Sequence, residues 1–264
     1  MLQAREDYDL SRGFFIKGGK TGVLLLHGFI GNASEMEELA DYLAAKGMTV
    51  FAPTLPGRGL NPKDMIKTTR QEWLDVAIEN LKNLKGECSR VFVTGQSMGG
   101  TIALHLAANN KVDGVISLAT PVWINPIYRW SKLIKFVVKF ATRVKIDVKD
   151  PEGKEKYRGY NRIPLASVGH LSDLVKQARA ELPKVRAPML IAHSKADQTI
   201  VSTNAKIIYD RAGSSKKKVL LLEKSGHLLT LDYERQELFK EICDFITDVK
   251  SGRFVGKKPE EIDG

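Results

Sequence analysis

The chain has 264 residues, 43% hydrophobic and 27% charged, with 22 glycines and ten prolines. That is an ordinary soluble composition, enough for one sizeable core plus an inserted segment, and no apolar run of about 18 residues predicts a transmembrane helix. The formal net charge is +10, but residues 122–187 carry 15 Lys/Arg against 6 Asp/Glu, so nearly all the excess is local.

No zinc finger, RNP-like aromatic pattern or KH-type clamp accompanies that charge, so no nucleic-acid partner is expected. The charged N-terminus "MLQAREDYDLSR" has no apolar core and predicts no secretory signal. Cys88 and Cys243 lack CxxC or Cys/His spacing and read as buried, reduced thiols of a cytoplasmic protein.

In chain order, "GGKTG" at 18–22 resembles the end of a phosphate loop, but Phe14 stands where GxxxxGK[ST] needs glycine. It reads as a turn entering a sheet. "TGVLLLHG" is a strand buried on both faces. A helix follows over 34–47, with Ser34 as N-cap, glutamates in the first turn and glycine at its end. "MTVFAP" is a strand, and apolar spacing from Trp73 to Leu81 predicts a helix over 71–84. "RVFVTG" is a strand, 98–109 a helix, and "GVISLATP" a strand leading into the basic segment. "APMLIAHSKAD" is a strand, 203–211 a helix, "KKVLLLE" the last strand, and 233–249 an amphipathic helix. Strands alternating with helices predict a parallel α/β sheet.

"RVFVTGQSMGGTIAL" turns from strand to helix through Gly95-Gln96-Ser97-Met98-Gly99. In such sheets reacting groups sit at the carboxyl ends of strands. A serine aimed into the crevice there needs a sharp, strained reversal, tolerated when small neighbours relieve it. Gly95 and Gly99 supply the relief, and Gly100 allows close packing. A nucleophilic serine needs a base and a carboxylate to orient it, and in α/β-hydrolases the chain order is serine, acid, histidine. His27 precedes the serine and reads as a loop brace. His105 lies two helical turns beyond it, in a structural or surface position. His170 falls in the basic insert, and His193 precedes the candidate acid. His227, after the last strand in "LLLEKSGHLL", fits the base, and Asp197 in "HSKADQTI" the acid. Asp232 fits a helix start better. The expected oxyanion donors are the backbone N–H groups of Met98 and of Phe29 in "HGFIGN". No metal and no nucleotide cofactor is expected.

"HGFIGN", "GQSMGG", "HSKADQTIVSTNAKIIYD" and "EKSGHLLTLDYERQELFKEICDFI" together resemble the small bacterial carboxylesterases and monoacylglycerol lipases of the α/β-hydrolase superfamily, over residues 22–249. The resemblance implies a mostly parallel sheet of about six to eight strands, with a small cap inserted after the sixth. The core would span 1–121 and 188–264, and the cap 122–187. It also implies hydrolysis of carboxylic esters with short to medium acyl chains, monoacylglycerols included, and matches Ser97, Asp197, His227, Phe29 and Met98 to the family's functional positions. Gln96 departs from the histidine or leucine common before the nucleophile.

Within the insert, Trp130, Leu133, Ile134, Val137, Val138, Ala141 and Val144 share one helical face, with Lys132, Lys135, Lys139 and Arg143 opposite. At rest this reads as an ordinary cap helix with its lysines in water. The sharper reading is a lid that docks transiently on anionic lipid, with Trp123, Ile124 and Tyr128 lining the acyl entrance.

Overall fold

The computed structural model describes residues 6–9, 11–58, 61–124 and 145–256. Its strands are β1 (Glu6–Asp9), β2 (Gly13–Ile16), β3 (Thr21–Leu26), β4 (Thr49–Pro53), β5 (Arg90–Gln96), β6 (Gly114–Leu118), β7 (Met189–Ser194) and β8 (Lys217–Leu222). They form one eight-stranded sheet in the order β1-β2-β4-β3-β5-β6-β7-β8. β2 pairs antiparallel with β1 and β4, and all other pairings are parallel. The two N-terminal strands left no usable pattern in the sequence. Each has four residues, too few for a periodicity to show, and "EDYD" is mostly charged.

The continuous apolar runs have the reason expected of them. β3, β6 and β7 are buried along their whole length because helices cover both sheet faces. One face packs Leu24, Val93 and Ile191 against Trp73, Leu81 and Ile102. The other packs Val23, Leu25 and Ile116 against Leu39, Phe239 and Ile242. Adjacent strand residues thus alternate between two cores, as a period of two requires.

The helices are α1 (Glu37–Ala45), α2 (Pro62–Ile66), α3 (Arg70–Glu87), α4 (Met98–Asn109), α5 (Pro151–Lys156), α6 (Leu165–Glu181), α7 (Thr203–Arg211) and α8 (Arg235–Lys250). α3 opens on a capping box: Thr69 N–H donates to Glu72 at 2.8 Å, and Glu72 N–H to the Thr69 hydroxyl at 3.4 Å. The segment expected to begin helically at Ser34 instead makes a 3₁₀ turn, Ala33–Met36, before α1. Its cap is Asn32, whose extended backbone lets the side-chain oxygen accept from Ser34 N–H at 3.0 Å. Cys88 is buried and Cys243 half-buried, and both are free thiols.

The long excursion follows the sixth strand, between β6 and β7. Its first residues are pinned by the buried Asn204 of α7, whose side-chain oxygen accepts from Val122 and Trp123 N–H. α6, near its end, lies against α4, with Leu174 and Ala178 buried and His105 of α4 2.7 Å from Glu181. The expected basic helix with Lys132, Lys135, Lys139 and Arg143 lies outside the described residues, as does Tyr128.

Candidate active site

At the end of β5 the backbone reverses through Ser97, which sits at φ 56° and ψ −119°. This is costly for a residue with a side chain and persists only where surroundings enforce it. They do so by close approach. A Cβ on Gly95 would lie 2.1 Å from the Gly99 backbone, and one on Gly99 would lie 2.0 Å from the Leu26 carbonyl oxygen. Ser97 N–H donates to Leu118 O at 2.8 Å, tying the reversal to β6. The turn leaves Ser97 as the residue before α4, whose first-turn N–H groups have no helical acceptor.

Loops after β7 and β8 bring the other two expected residues to the serine. His227 Nε2 lies 2.9 Å from Ser97 Oγ, and His227 Nδ1 lies 2.8 Å from Asp197 Oδ2. Asp197 Oδ1 accepts from Thr199 and Ile200 N–H at 2.8 and 2.9 Å. Burial works to raise the Asp197 pKa. The His227 charge and hydrogen bonds from His193, His227 and Ile200 outweigh it and hold the carboxyl well below the usual carboxylate range.

Three supporting residues escaped the sequence reading. His193 Nε2 donates to Ile200 O at 2.9 Å and lies 3.2 Å from Asp197 Oδ2, so its N–H is shared between loop and acid. Its spacing of four from Asp197 was a visible signal, set aside because the histidine comes before the acid. Gln96 Nε2 donates to His227 O at 2.8 Å, which gives the unusual residue before the serine a task. Asp147 joins both loops: its carbonyl accepts from His227 N–H at 2.8 Å and its carboxylate from Gln198 N–H at 2.7 Å. Nothing local in the sequence marks it.

The loop after β3 is held peptide by peptide. Leu55 N–H donates to His27 Nε2 at 2.9 Å, so His27 Nδ1 carries the proton and donates to Gly28 O at 2.8 Å. Burial, followed by the Arg58 charge, lowers the His27 pKa to about 3, so the ring is neutral. His27 is therefore the loop brace that its position suggested. Because a trans peptide points its C=O and N–H in opposite directions, anchoring Gly28 O turns the Phe29 N–H away from His27. That N–H has no acceptor among the described residues. Gly28 N–H donates to Glu35 at 2.7 Å, Phe29 O accepts from Arg58 Nε at 3.0 Å, and Ile30 O accepts from Tyr160 N–H at 2.7 Å. Glu35, 2% exposed, has its pKa raised to about 7, chiefly by burial.

Ser97 and His227 open into a cavity of about 190 Å³. Its walls are mainly apolar, with Phe29, Ile124, Val168 and Leu171 among them, while Glu35, Asp147 and Tyr157 supply polar groups. Ile124, one of the residues expected at an acyl entrance, lines this cavity. Trp123 is 41% exposed and is not part of this wall. Phe29 also packs edge-on against Trp73, their centroids 6.0 Å apart.

Comparison with known proteins agrees with the resemblance read from the motifs. The chain is 34% identical over 244 residues to the thermostable monoacylglycerol lipase of Bacillus sp. (strain H-257), covering 91% of this chain and 97% of that protein. It is 28% identical over 236 residues to the carboxylesterase of Bacillus subtilis (strain 168), covering 88% and 95%. A solved structure reported for the metagenome-derived lipolytic enzymes LipS and LipT superposes with a TM-score of 0.86 at 28% identity, covering 90% of this chain and 98% of that one. The family model described as Hydrolase_4, serine aminopeptidase S33, matches residues 19–234. With an eight-stranded sheet of this order and a family match over most of its length, the chain belongs to the Hydrolase_4 family of α/β-hydrolases.

Proposed function

We propose that this protein is a carboxylic ester hydrolase acting on monoacylglycerols and related esters of short to medium acyl chain through a serine acyl-enzyme. The observation that carries the reading is the unbroken hydrogen-bond chain from Ser97 through His227 to Asp197 at the wall of an apolar cavity. The relatives named as monoacylglycerol lipase and carboxylesterase support the substrate class.

Neutral His227 takes the Ser97 proton as the hydroxyl attacks the ester carbonyl. Asp197 holds the imidazole tautomer and stabilises the imidazolium. The Phe29 and Met98 N–H groups receive the oxyanion. His227 then protonates the departing alcohol, and a water activated by the same imidazole releases the acid. In this reading 1–121 and 188–264 form the core and 122–187 the cap, with α6 and the stretch from Asp147 to Tyr160 as parts of the insert that pack on the core. The basic stretch with Lys132, Lys135, Lys139 and Arg143 is proposed to meet anionic lipid, a role supported by the sequence pattern alone.

The family description also raises aminopeptidase chemistry, which needs a carboxylate free to take the substrate ammonium. The two carboxyls that described residues place on the cavity wall are engaged: Glu35 by Gly28 N–H, and Asp147 by the Lys149 ammonium and Gln198 N–H. That favours an ester. The test is turnover of an acyl-chain series of glycerol monoesters and simple esters beside aminoacyl amides, with Ser97→Ala as control. Serine-dependent ester turnover is expected; turnover of the amides alone would replace this reading.

A further inference from the structure

Phe29 and Met98, the proposed oxyanion donors, come from different segments, the loop after β3 and the start of α4, and one buried side chain touches both. Arg58 is 1% exposed, beyond the end of β4. Its Nε donates to Phe29 O at 3.0 Å, Nη1 to Pro56 O at 2.7 Å and Nη2 to Met98 Sδ at 3.4 Å. Its Cζ lies over the Trp73 ring, 4.2 Å from the centroid. Among the described residues no carboxylate lies within ion-pair distance of it.

Such a group is expensive. A buried cation without an ionic partner forfeits its hydration, and an apolar side chain of similar volume would fill the space at less cost. Carbonyl dipoles, a thioether and an aromatic face compensate it only in part. The nearby acid, Glu35, lies on the Gly28 side of the same loop, outside ion-pair distance, and burial raises its pKa to about 7, so at neutral pH it offsets the charge only in part. Burial also lowers the Arg58 pKa, to about 9, which leaves the guanidinium charged at neutral pH.

We propose that Arg58 is a positioning residue for the oxyanion hole. Its planar fork sets the Phe29 peptide and the Met98 side chain in one frame, and its charge, fixed behind that frame, favours the negative tetrahedral intermediate over the neutral ester. A dipole or charge already in place when negative charge develops needs no reorganisation, which is why preorganised groups act on the transition state. The inference rests on the serine-hydrolase reading above.

The experiment compares the parent with Arg58→Met and Arg58→Lys. It measures ester kcat and KM, affinity for an alkylboronic acid that forms a tetrahedral anion on the serine, and affinity for a neutral ether analogue of the ester. Arg58→Met is expected to lower kcat and boronate affinity together, by about 10- to 100-fold, with KM and ether affinity nearly unchanged. Arg58→Lys keeps the charge but loses the fork and should fall between the two. Parent-like kcat and boronate affinity in the variants would overturn the proposal. So would equal losses for ether and boronate, because a merely structural arginine distorts the pocket for both. Should Arg58→Met fail to fold, the lysine variant is judged by the same criteria. An error in substrate class gives a different result: the parent is then inactive on the ester, while its boronate affinity still depends on Arg58.

Discussion

The serine elbow at Gly95–Gly100 and the loop at His27–Gly31 meet at the same cavity, yet they are held in shape by different means. The elbow is enforced by backbone against backbone: Gly95 meets Gly99, and Gly99 meets the carbonyls of Leu26 and His27. The loop is enforced mainly by side chains from elsewhere in the chain, with Glu35 on Gly28, Arg58 on Phe29, and the Tyr157 hydroxyl on Ile30 beside the Tyr160 backbone N–H. A backbone wall cannot yield without moving a strand. A side-chain clamp can swing aside, and two of these clamps are ionisable and buried. The elbow should therefore be brittle, and the loop tunable.

The largest expected effect falls on the residue the elbow presents. Ser97→Ala should lower ester turnover by roughly 10⁴ to 10⁶, with folding intact, because the serine and its base act as one unit. His227→Ala should cost about as much and the double variant little more. Additive losses in kcat would separate the two residues and undo the proposed mechanism.

The comparison itself can be broken with two matched glycine substitutions. A Cβ on Gly99 would sit 2.0 Å from the Leu26 carbonyl oxygen, whereas one on Gly31 would sit 1.7 Å from Glu35 Oε1, the tip of a side chain. Gly99→Ala should destabilise the fold by roughly 3–5 kcal/mol. Gly31→Ala should cost about 1–2 kcal/mol, and Glu35→Ala should relieve part of it, so that pair should be non-additive. Denaturant unfolding of the four variants decides. Equal costs at the two glycines would mean that the loop is as rigid as the elbow.

Glu35→Gln sharpens the tunable side. The Glu35 pKa is raised from 4.5 to about 7, so the folded protein holds this proton where the unfolded chain has released it. Stability from this group is therefore fully present at low pH and is lost as pH rises from about 4.5 through about 7. Removing the ionisation should stabilise the variant relative to the parent at pH 8, by about 3 kcal/mol at most. The advantage should vanish near pH 4. Thermal unfolding at both pH values reads it directly, and a pH-independent difference would show that Glu35 is not titrating inside the fold.

The smallest effect per residue concerns neither loop. Changing Lys132, Lys135 and Lys139 together to glutamate should weaken sedimentation with anionic vesicles, at about 1 kcal/mol per lysine near the surface. Turnover of a water-soluble short-chain ester should stay near the parent value, since such a substrate needs no lipid surface. No vesicle binding by the parent would leave these lysines as a solvated face.

The difference between elbow and loop is also the difference between what could and could not be read from the chain. Gly95-Gln96-Ser97-Met98-Gly99 announced itself because its constraint is local: the bulkless residues flank the strained one, and α4 and α7 begin and end at their expected residues. Chain order then singled out Asp197 and His227, and the imidazole stands within hydrogen-bond distance of both the acid and the serine. The remaining parts were illegible for a common reason. Glu35 looked like an acid in a helix's first turn, and Arg58 stood in no motif. His193 seemed excluded by its place in the chain, and Asp147 had no motif at all. Each owes its environment to backbone that the folded loops bring beside it: Phe29 and Met98 around Arg58, Gly28 over Glu35, Ile200 at His193, and the loops of Gln198 and His227 on Asp147. A residue's periodic place can be computed from its neighbours along the chain. Whether a charge loses its water depends on which distant backbone arrives beside it, and only the folded arrangement of the loops decides that.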